Sequence, residues 1–297
     1  MSETIPRPLL MPADFQSSMV ATDALRMHVV QEGAEGAPLV VLLHGFPEMW
    51  YSWRWQIKAL AAAGFRVAAP DLRGYNLTER RSPYDPFTLT KDVINLIRAL
   101  GYEQAHVVGH DWGGLIAWLV GAFYPEVVNK LTVLNCPHPS VVSEVLRRLF
   151  FKQIGRSWYT LFFQLPHLPE RTLTQNNFRA LAGSLKRGTP NGISKAELNV
   201  FREAWAQEGS LSAGLNYYRE LFRHLRAVLR RDLTIRVPMR LIWGEPDFAL
   251  TKETAEWSRR YVQGGLQIDY IPNSGHFVQQ DQPERVNELL IAWLSDA

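Results

Sequence analysis

The chain alternates short apolar runs with amphipathic segments over most of its length. The run Leu39–Leu43 is apolar at every position, which predicts a strand buried on both faces of a sheet. Amphipathic segments of helical length separate the apolar runs, a spacing that indicates βαβ units and a parallel sheet. The other predicted strands are Met19–Thr22, Met27–Gln31, Arg66–Ala69, Ala105–Val108, Leu131–Leu134, Met239–Trp243 and Gln267–Ile271. The predicted helices are Tyr51–Ala63, Leu89–Leu100, Gly114–Phe123, Lys252–Tyr261 and Pro283–Leu294.

This alternation stops near Pro137 and resumes at Met239. The intervening segment is aromatic and helical in pattern and contains no convincing strand. We therefore predict an α/β protein in which helices flank a mostly parallel central sheet. Residues 1–137 and 233–297 are expected to form the core, and residues 138–232 an inserted helical cap, or lid.

Composition is typical of a globular protein and argues against a membrane span and a nucleic-acid partner. Hydrophobic residues make up 46% of the 297 residues and charged residues 21%. No apolar run approaches the roughly 18–20 residues of a membrane helix, and the N-terminus lacks the pattern of a signal peptide, so we expect a cytoplasmic protein without a membrane span. The net charge of +3 accompanies no recognition motif for nucleic acid, which we do not expect as a partner.

The single cysteine, Cys136, excludes an intramolecular disulfide and a cysteine metal cluster; we expect it to be buried.

A glycine-rich turn around Asp111 is the sharpest chemical feature. The segment Gly109–Gly114 (GHDWGG) lies between a buried strand and a helix, the context of the G-x-S-x-G nucleophile elbow in serine hydrolases. Here an aspartate takes the place of the serine. A carboxylate is ionised at neutral pH and attacks a saturated carbon without a base, through an ester intermediate. The alternative is that Asp111 only caps the following helix.

Hydrolysis of an aspartyl ester needs a general base and an acid that orients it. His276 follows the last predicted strand, and Asp247 follows the preceding one, so both are expected at the same sheet edge as Asp111. The chain order nucleophile, acid, histidine fits such an architecture. Glu245 and Asp269 are alternative acids, whereas the position after Leu131–Leu134 carries no carboxylate.

Backbone donors are required for the oxyanion that forms when the ester is cleaved. His44-Gly45-Phe46-Pro47 follows a buried strand, and we predict that the N–H of Phe46 is one donor. The N–H of Trp112, directly after Asp111, is predicted to be the other. His44 is interpreted as a structural residue of this loop.

Taken together, these motifs resemble the epoxide hydrolases of the α/β-hydrolase superfamily. The resemblance runs from about Arg26 to Trp293. It rests on His44–Glu48 (HGFPE), Tyr51–Arg54 (YSWR), Asp71–Tyr75 (DLRGY), Gly109–Gly113 (GHDWG), Trp243–Asp247 (WGEPD) and Ser274–His276 (SGH).

The resemblance implies an α/β-hydrolase fold and two cap tyrosines that hydrogen-bond the epoxide oxygen. Trp158–Gln164 looks like the first tyrosine segment, which implies Tyr159. Leu215–Arg219 (LNYYR) looks like the second, usually L-N-W-Y-R, which implies Tyr218 with Tyr217 as the alternative. The implied activity converts an epoxide and water to a vicinal diol without a metal or organic cofactor. Apolar pocket lining is expected from Phe46, Pro47, Trp112, Phe163 and Phe248.

Two other functions remain open from the sequence. A haloalkane or haloacid dehalogenase shares the aspartyl-ester scheme, and the indole of Trp112 is a possible halide donor. Such enzymes more often carry the motif HGxPT than the motif HGFPE found in this chain, and they lack the tyrosine pair. The second alternative is a binding protein of the same fold that senses a ligand without turnover. Such a protein would not need Asp111, Asp247, His276 and the two cap tyrosines together.

Overall fold

The computed structural model describes residues 14–141, 144–145 and 150–296. Its strands are β1 (Gln16–Ala21), β2 (Arg26–Glu32), β3 (Leu39–Leu43), β4 (Arg66–Pro70), β5 (Ala105–His110), β6 (Val128–Leu134), β7 (Met239–Gly244) and β8 (Leu266–Ile271). They form one sheet in the order β1-β2-β4-β3-β5-β6-β7-β8. The β1–β2 and β2–β4 pairs are antiparallel and the other pairs are parallel. The predicted α/β class with a mostly parallel sheet is confirmed.

Helices cover this sheet and begin or end close to the predicted positions. They are α1 (Arg54–Ala62), α2 (Pro86–Ala99), α3 (Trp112–Phe123), α4 (Phe150–Phe162), α5 (Leu168–Gly188), α6 (Lys195–Ala206), α7 (Ser210–Leu229), α8 (Lys252–Ser258), α9 (Val278–Asp281) and α10 (Pro283–Ser295). α2 begins three residues before the predicted start because Asp85 caps it, accepting the N–H groups of Phe87 and Thr88. None of the described helices is long and apolar enough to cross a membrane.

The sheet order creates one place where the loops at the strand ends diverge. β3 pairs with β4 on one side and with β5 on the other. The chain therefore leaves β3 in one direction and returns to β5 in the opposite direction, and a crevice opens at such a switch point beyond the carboxyl ends of the strands. The segments that follow β3, β5, β7 and β8 carry the residues that the sequence analysis selected.

The described residues between β6 and β7 include α4 to α7, which we call the helical insertion. Direct hydrogen bonds tie it to the core: the indole Nε1 of Trp205 donates to the carbonyl of Pro47 at 2.6 Å. The Tyr217 hydroxyl donates to the carbonyl of Arg73 at 2.8 Å, and Arg54 pairs with Glu197. The cap boundaries at residues 138 and 232 stay a prediction.

Glycines let three backbone segments approach one another at the end of β5. A Cβ on Gly109 would lie 2.2 Å from the carbonyl oxygen of Gly113, and a Cβ on Gly113 would lie 2.1 Å from that of Leu43. Backbone atoms on both sides leave no room for a side chain. The strand can therefore turn directly into α3 only with glycine at these two positions.

We expect Gly113→Ala to lower the free energy of unfolding by about 3 kcal/mol, the upper range for overpacking, because the obstructing atom belongs to the backbone of β3. Urea denaturation measures this change. Gly183→Ala is the matched control: no atom lies within 4 Å of its added Cβ, and alanine is favoured in a helix by roughly 1 kcal/mol. A Gly113→Ala protein with the wild-type unfolding midpoint would contradict this description of the turn.

Candidate active site

Asp111 lies at the sharp turn between β5 and α3. Its φ of 49° and ψ of −114° are strained for a residue with a side chain. The carboxylate makes no capping hydrogen bond to α3, so the alternative of a simple helix cap is wrong. Instead, Oδ1 accepts the backbone N–H of Phe46 at 2.9 Å. The carboxylate thus faces the loop that follows β3.

His276 lies between Asp111 and Asp247. Its Nδ1 is 2.7 Å from Oδ2 of Asp247, and its Nε2 is 3.4 Å from Oδ2 of Asp111. Both His276 and Asp247 are buried. The three residues come from loops after three different strands, and the structure brings them together as the sequence analysis predicts.

The two alternative acids lie elsewhere. Glu245 pairs with Lys252, and Asp269 pairs with Arg240 at 2.6 Å. Asp247, by contrast, contacts His276 directly. The structure therefore favours Asp247 as the acid that orients the histidine.

Asn135 supports Asp247, a role that the sequence analysis did not identify. Its amide nitrogen donates to Oδ2 of Asp247 at 2.8 Å, and its amide oxygen accepts the N–H of Gly244 at 2.9 Å. Asn135 follows β6, the position considered for the acid and set aside because it carries no carboxylate. No local signal in the sequence indicated this role, because Asp247 lies 112 residues away in the chain.

The loop after β3 is shaped to present a backbone donor. A Cβ on Gly45 would lie 2.5 Å from the Cβ of Asp111, so only glycine admits the carboxylate beside this loop. His44 accepts the N–H of Leu72 through Nε2 at 3.0 Å and donates from Nδ1 to the carbonyl of Gly45 at 2.9 Å. These bonds occupy both ring nitrogens, which supports the interpretation of His44 as structural. Trp112 is the first residue of α3, where a backbone N–H has no acceptor within the helix.

Aromatic rings from the helical insertion face the turn that carries Asp111. The Tyr218 ring lies 4.9 Å from Trp112, 5.5 Å from Phe46 and 5.0 Å from Phe163, measured between centroids and with the rings in edge contact. Tyr159 lies 6.1 Å from Tyr218. The two predicted tyrosines are therefore neighbours at the Asp111 side of the insertion.

Tyr217 is oriented differently from Tyr218. Its hydroxyl donates to the carbonyl of Arg73, and its side chain is completely buried. A hydroxyl engaged with the core backbone is not free to meet a ligand. Of the two adjacent tyrosines, the structure favours Tyr218 as the donor.

The other predicted lining residues lie around the same region. Phe163 contacts Phe46 with 5.7 Å between ring centroids, and Phe248 contacts His276 with the same separation. Pro47 is buried, with its carbonyl bonded to Trp205.

A buried pair, Glu48 and His110, links the three loops of the site. Nδ1 of His110 is 2.6 Å from the Glu48 carboxylate, and its Nε2 donates to the carbonyl of His276 at 2.9 Å. The same carboxylate accepts the N–H of Gly45 at 2.9 Å. Both residues belong to motifs named in the sequence analysis, which gave them no role because their partners are distant in the chain.

Among the residues that the structure describes, no group of three or more histidine, cysteine or carboxylate side chains is arranged to hold a metal ion. Cys136 is buried, and burial raises the pKa of its thiol well above the ordinary value. A neutral buried thiol is a poor nucleophile.

The chain is similar over nearly its whole length to known hydrolases. Residues 38–283 match the family model described as alpha/beta hydrolase fold. The chain is 38% identical over 281 residues to the AB hydrolase superfamily protein YfhM of Bacillus subtilis (strain 168), covering 93% of this chain and 97% of that protein. It is 37% identical over 288 residues to epoxide hydrolase 4 of Homo sapiens, covering 93% of this chain and 78% of that protein. The chain belongs to the epoxide hydrolase family of the α/β-hydrolase superfamily.

Solved structures of epoxide hydrolases share the architecture of this family member. A crystal structure of the Bacillus megaterium epoxide hydrolase in complex with an inhibitor has a TM-score of 0.85 at 29% identity, covering 95% of this chain and 100% of that one. Epoxide hydrolase A from Mycobacterium thermoresistibile has a TM-score of 0.81 at 30% identity, covering 94% and 98%. The α/β-hydrolase fold that the resemblance implied is confirmed.

In this member of the epoxide hydrolase family, His276 is charged at neutral pH. Burial lowers its pKa, but the charge of Asp247 and the hydrogen bond to Asp111 outweigh burial and raise the pKa to about 10. For both carboxylates burial raises the pKa, and the contacts with His276 outweigh it, so each pKa lies below its ordinary value. The resting site therefore contains two carboxylates and one imidazolium.

The two tyrosines keep their protons in this environment. Burial raises the pKa of Tyr159, and the charge of Asp111 raises it further. Burial also raises the pKa of Tyr218 well above its ordinary value, with smaller contributions from Tyr159 and Asp111. Both phenols are thus hydrogen-bond donors at any physiological pH.

We expect Asp111→Asn to lower the pKa of His276 from about 10, because the variant removes one of the carboxylates that hold the proton. NMR titration of the imidazole signals measures the pKa, and a His276→Gln protein assigns the signal. Asp269→Asn is the control, since Asp269 pairs with Arg240 instead of His276. An unchanged pKa in Asp111→Asn would refute the electrostatic coupling of the two residues.

Proposed function

We propose that this chain hydrolyses epoxides to vicinal diols through a covalent aspartyl ester on Asp111. The proposal rests on four groups that lie around the turn between β5 and α3. They are the carboxylate of Asp111, the imidazole of His276 and the protonated phenols of Tyr159 and Tyr218. The family membership supports the same activity, because several relatives are named epoxide hydrolases.

In the first step, a carboxylate oxygen of Asp111 attacks a ring carbon of the epoxide and the carbon–oxygen bond breaks. The negative charge that develops on the oxygen needs donors, and Tyr159 and Tyr218 supply two hydroxyl groups. Formation of the ester removes the charge of Asp111. The pKa of His276 then falls, and the proton that it held in the resting state passes by way of a tyrosine to the opened oxygen.

In the second step, the neutral His276 takes a proton from water and the resulting hydroxide attacks the ester carbonyl. Asp247 stabilises the imidazolium that forms. The N–H groups of Phe46 and Trp112 are proposed to hold the oxyanion. Collapse breaks the ester bond, and the remaining proton of the added water passes to the leaving oxygen of the diol. Asp111 returns as a carboxylate beside a protonated His276. Protons and charges therefore balance over one turnover.

Residues 138–232 are proposed to act as a cap over this reaction. Support comes from Tyr159 on α4 and Tyr218 on α7, which pack towards Phe46 and Trp112 of the core. The proposed substrate is an apolar small molecule, with Phe46, Pro47, Trp112, Phe163 and Phe248 lining its pocket.

We expect His276→Gln to trap the ester, because in the variant a tyrosine hydroxyl still protonates the opened oxygen and regains its proton from solvent, while ester hydrolysis lacks its base. After incubation with styrene oxide, mass spectrometry should find the peptide containing Asp111 heavier by the mass of the substrate. Asp111→Asn is the control and should remain unmodified. Loss of diol formation with an unmodified Asp111 peptide would exclude the covalent scheme.

We expect Tyr218→Phe to lower kcat/KM for styrene oxide by about a hundredfold, the effect of losing one donor to a developing charge. Replacing Tyr159 as well should abolish turnover. Tyr217→Phe is the matched control, losing about 1 kcal/mol of stability with its bond to Arg73 but turning over the epoxide at a rate within a few-fold of wild type.

Two outcomes would count against the tyrosine assignment. Equal losses in Tyr217→Phe and Tyr218→Phe would mean that neither hydroxyl has a specific role. Halide release from small haloalkanes by the wild-type protein, without diol formation from styrene oxide, would favour dehalogenation.

A further inference from the structure

Large exposed apolar side chains are concentrated in the helical insertion. Among the residues that the structure describes, six large hydrophobic side chains are exposed, and only Trp55 belongs to the core. The other five, which we call the apolar patch, are Trp158, Leu161, Leu165, Leu168 and Phe222. Single exposed apolar residues are common on folded proteins, whereas a group of them marks an interaction surface.

Arg219 joins the two parts of the apolar patch. Four patch residues lie between the last two turns of α4 and the start of α5, and Phe222 lies on α7. The guanidinium of Arg219 donates to the carbonyl of Phe163 at 2.9 Å and to that of Leu165 at 2.8 Å. Phe222 follows Arg219 by three residues, so the two side chains are neighbours on the surface of α7. The two parts of the patch therefore lie side by side on the insertion.

Arginines flank Phe222 on the exposed face of α7. Arg219 precedes it by three residues and Arg226 follows it by four, the spacings of neighbours on one helix face. Arg226 is exposed, as is Arg230 one turn further on. Within the described part of the chain, neither of these two arginines forms an ion pair. Their charge is therefore available to a partner.

The charge around the apolar patch indicates the kind of partner. Residues 155–171 and 210–231, which include the whole patch, contain seven arginines and two glutamates and no lysine or aspartate. A second copy of this chain would bring two such faces together, and like charges oppose that contact. The phosphates of an anionic bilayer complement the arginines instead, and the bilayer also accepts apolar side chains below its headgroups. The combination favours a lipid surface.

We propose that the apolar patch and the arginines of α7 form a docking surface for an anionic lipid bilayer. Trp158 is suited to the boundary between headgroups and acyl chains, where tryptophan is enriched in membrane proteins. The leucines of the patch insert beside it, while Arg226 and Arg230 contact lipid phosphates. Such binding is peripheral and needs no helix that crosses the membrane.

Docking through this surface places the bilayer against the segments that carry the proposed donor tyrosines. Trp158 directly precedes Tyr159, and Phe222 lies one helical turn after Tyr218. The ring of Tyr218 packs against Trp112, the residue after Asp111. Apolar small molecules partition from water into a bilayer, so a docked protein meets them at a higher local concentration. The docking surface goes beyond the proposed function and is tested independently of it.

Co-sedimentation with vesicles tests the surface without turnover. We expect the wild-type protein to bind vesicles of phosphatidylcholine and phosphatidylglycerol, to bind pure phosphatidylcholine much more weakly, and to be released by high salt. Arg226→Gln should weaken binding to the mixed vesicles about fivefold, the effect of one arginine near an anionic surface. Arg285→Gln is the matched control and should bind as the wild type does, since Arg285 is also exposed but lies on α10 of the core.

A second pair of variants tests the apolar contribution. Leu161→Gln combined with Leu165→Gln should weaken binding to the mixed vesicles by roughly tenfold, since each inserted leucine removes apolar surface from water. Trp55→Gln is the control, because it changes a comparably exposed apolar residue outside the patch. All these changes are at exposed positions and should leave the thermal unfolding midpoint unchanged. Equal binding by the wild type, Arg226→Gln and the leucine double variant would overturn the docking surface.

Two further outcomes would exclude an anionic bilayer as the partner. Equal binding to vesicles with and without phosphatidylglycerol would mean that the arginines have no role. A wild-type dimer in gel filtration that the leucine double variant converts to a monomer, with no protein sedimenting with vesicles, would make the patch an interface between copies of this chain. Failure to hydrolyse any epoxide would contradict the proposed function alone, because sedimentation requires no substrate.

Discussion

The close approach of three backbone segments at the end of β5 determines where the other groups of the site lie. At Gly109 and Gly113 the backbones of the turn, α3 and β3 are in direct van der Waals contact, with no room for a side chain. Asp111 is held between them in a strained conformation that one residue alone would not maintain. As a result, its carboxylate cannot fold back onto α3 and meets the N–H of Phe46 instead. The folded core thus supplies the free energy that holds the carboxylate towards the loop after β3.

The two carboxylates beside His276 differ in how many donors hold them. Asp247 accepts hydrogen bonds from His276, Asn135 and two backbone N–H groups, those of Ala249 at 2.6 Å and Leu250 at 3.0 Å. Asp111 accepts one close bond from Phe46 and lies 3.4 Å from His276. A fully satisfied carboxylate stabilises a neighbouring cation and is a weak nucleophile, whereas a carboxylate with fewer donors retains its reactivity. The hydrogen-bond pattern therefore supports the proposed division of roles between two chemically identical groups.

Local patterns predicted most of the fold and the order of the proposed triad, because both depend on short segments. Both boundaries of the strand Leu39–Leu43 were predicted correctly, since a strand buried on both faces is apolar throughout. The roles of Asn135 and the Glu48–His110 pair were not predictable, because their partners lie more than 60 residues away in the chain. The choice between Tyr217 and Tyr218 likewise needed the structure, since it depends on how α7 is rotated against the core.

The rotation of α7 shows how the core determines the position of a residue on the insertion. Neighbouring helix residues point roughly 100° apart, so two adjacent tyrosines cannot both face the same site. The hydroxyl of Tyr217 donates to the carbonyl of Arg73, and the guanidinium of Arg73 makes two 2.6 Å hydrogen bonds to Asp92 of α2. The Tyr217 ring also packs against Tyr75 and Trp112 of the core, and this packing leaves Tyr218 directed at Phe46 and Trp112. The ring of the tyrosine that takes no part in the proposed chemistry therefore positions the tyrosine that does.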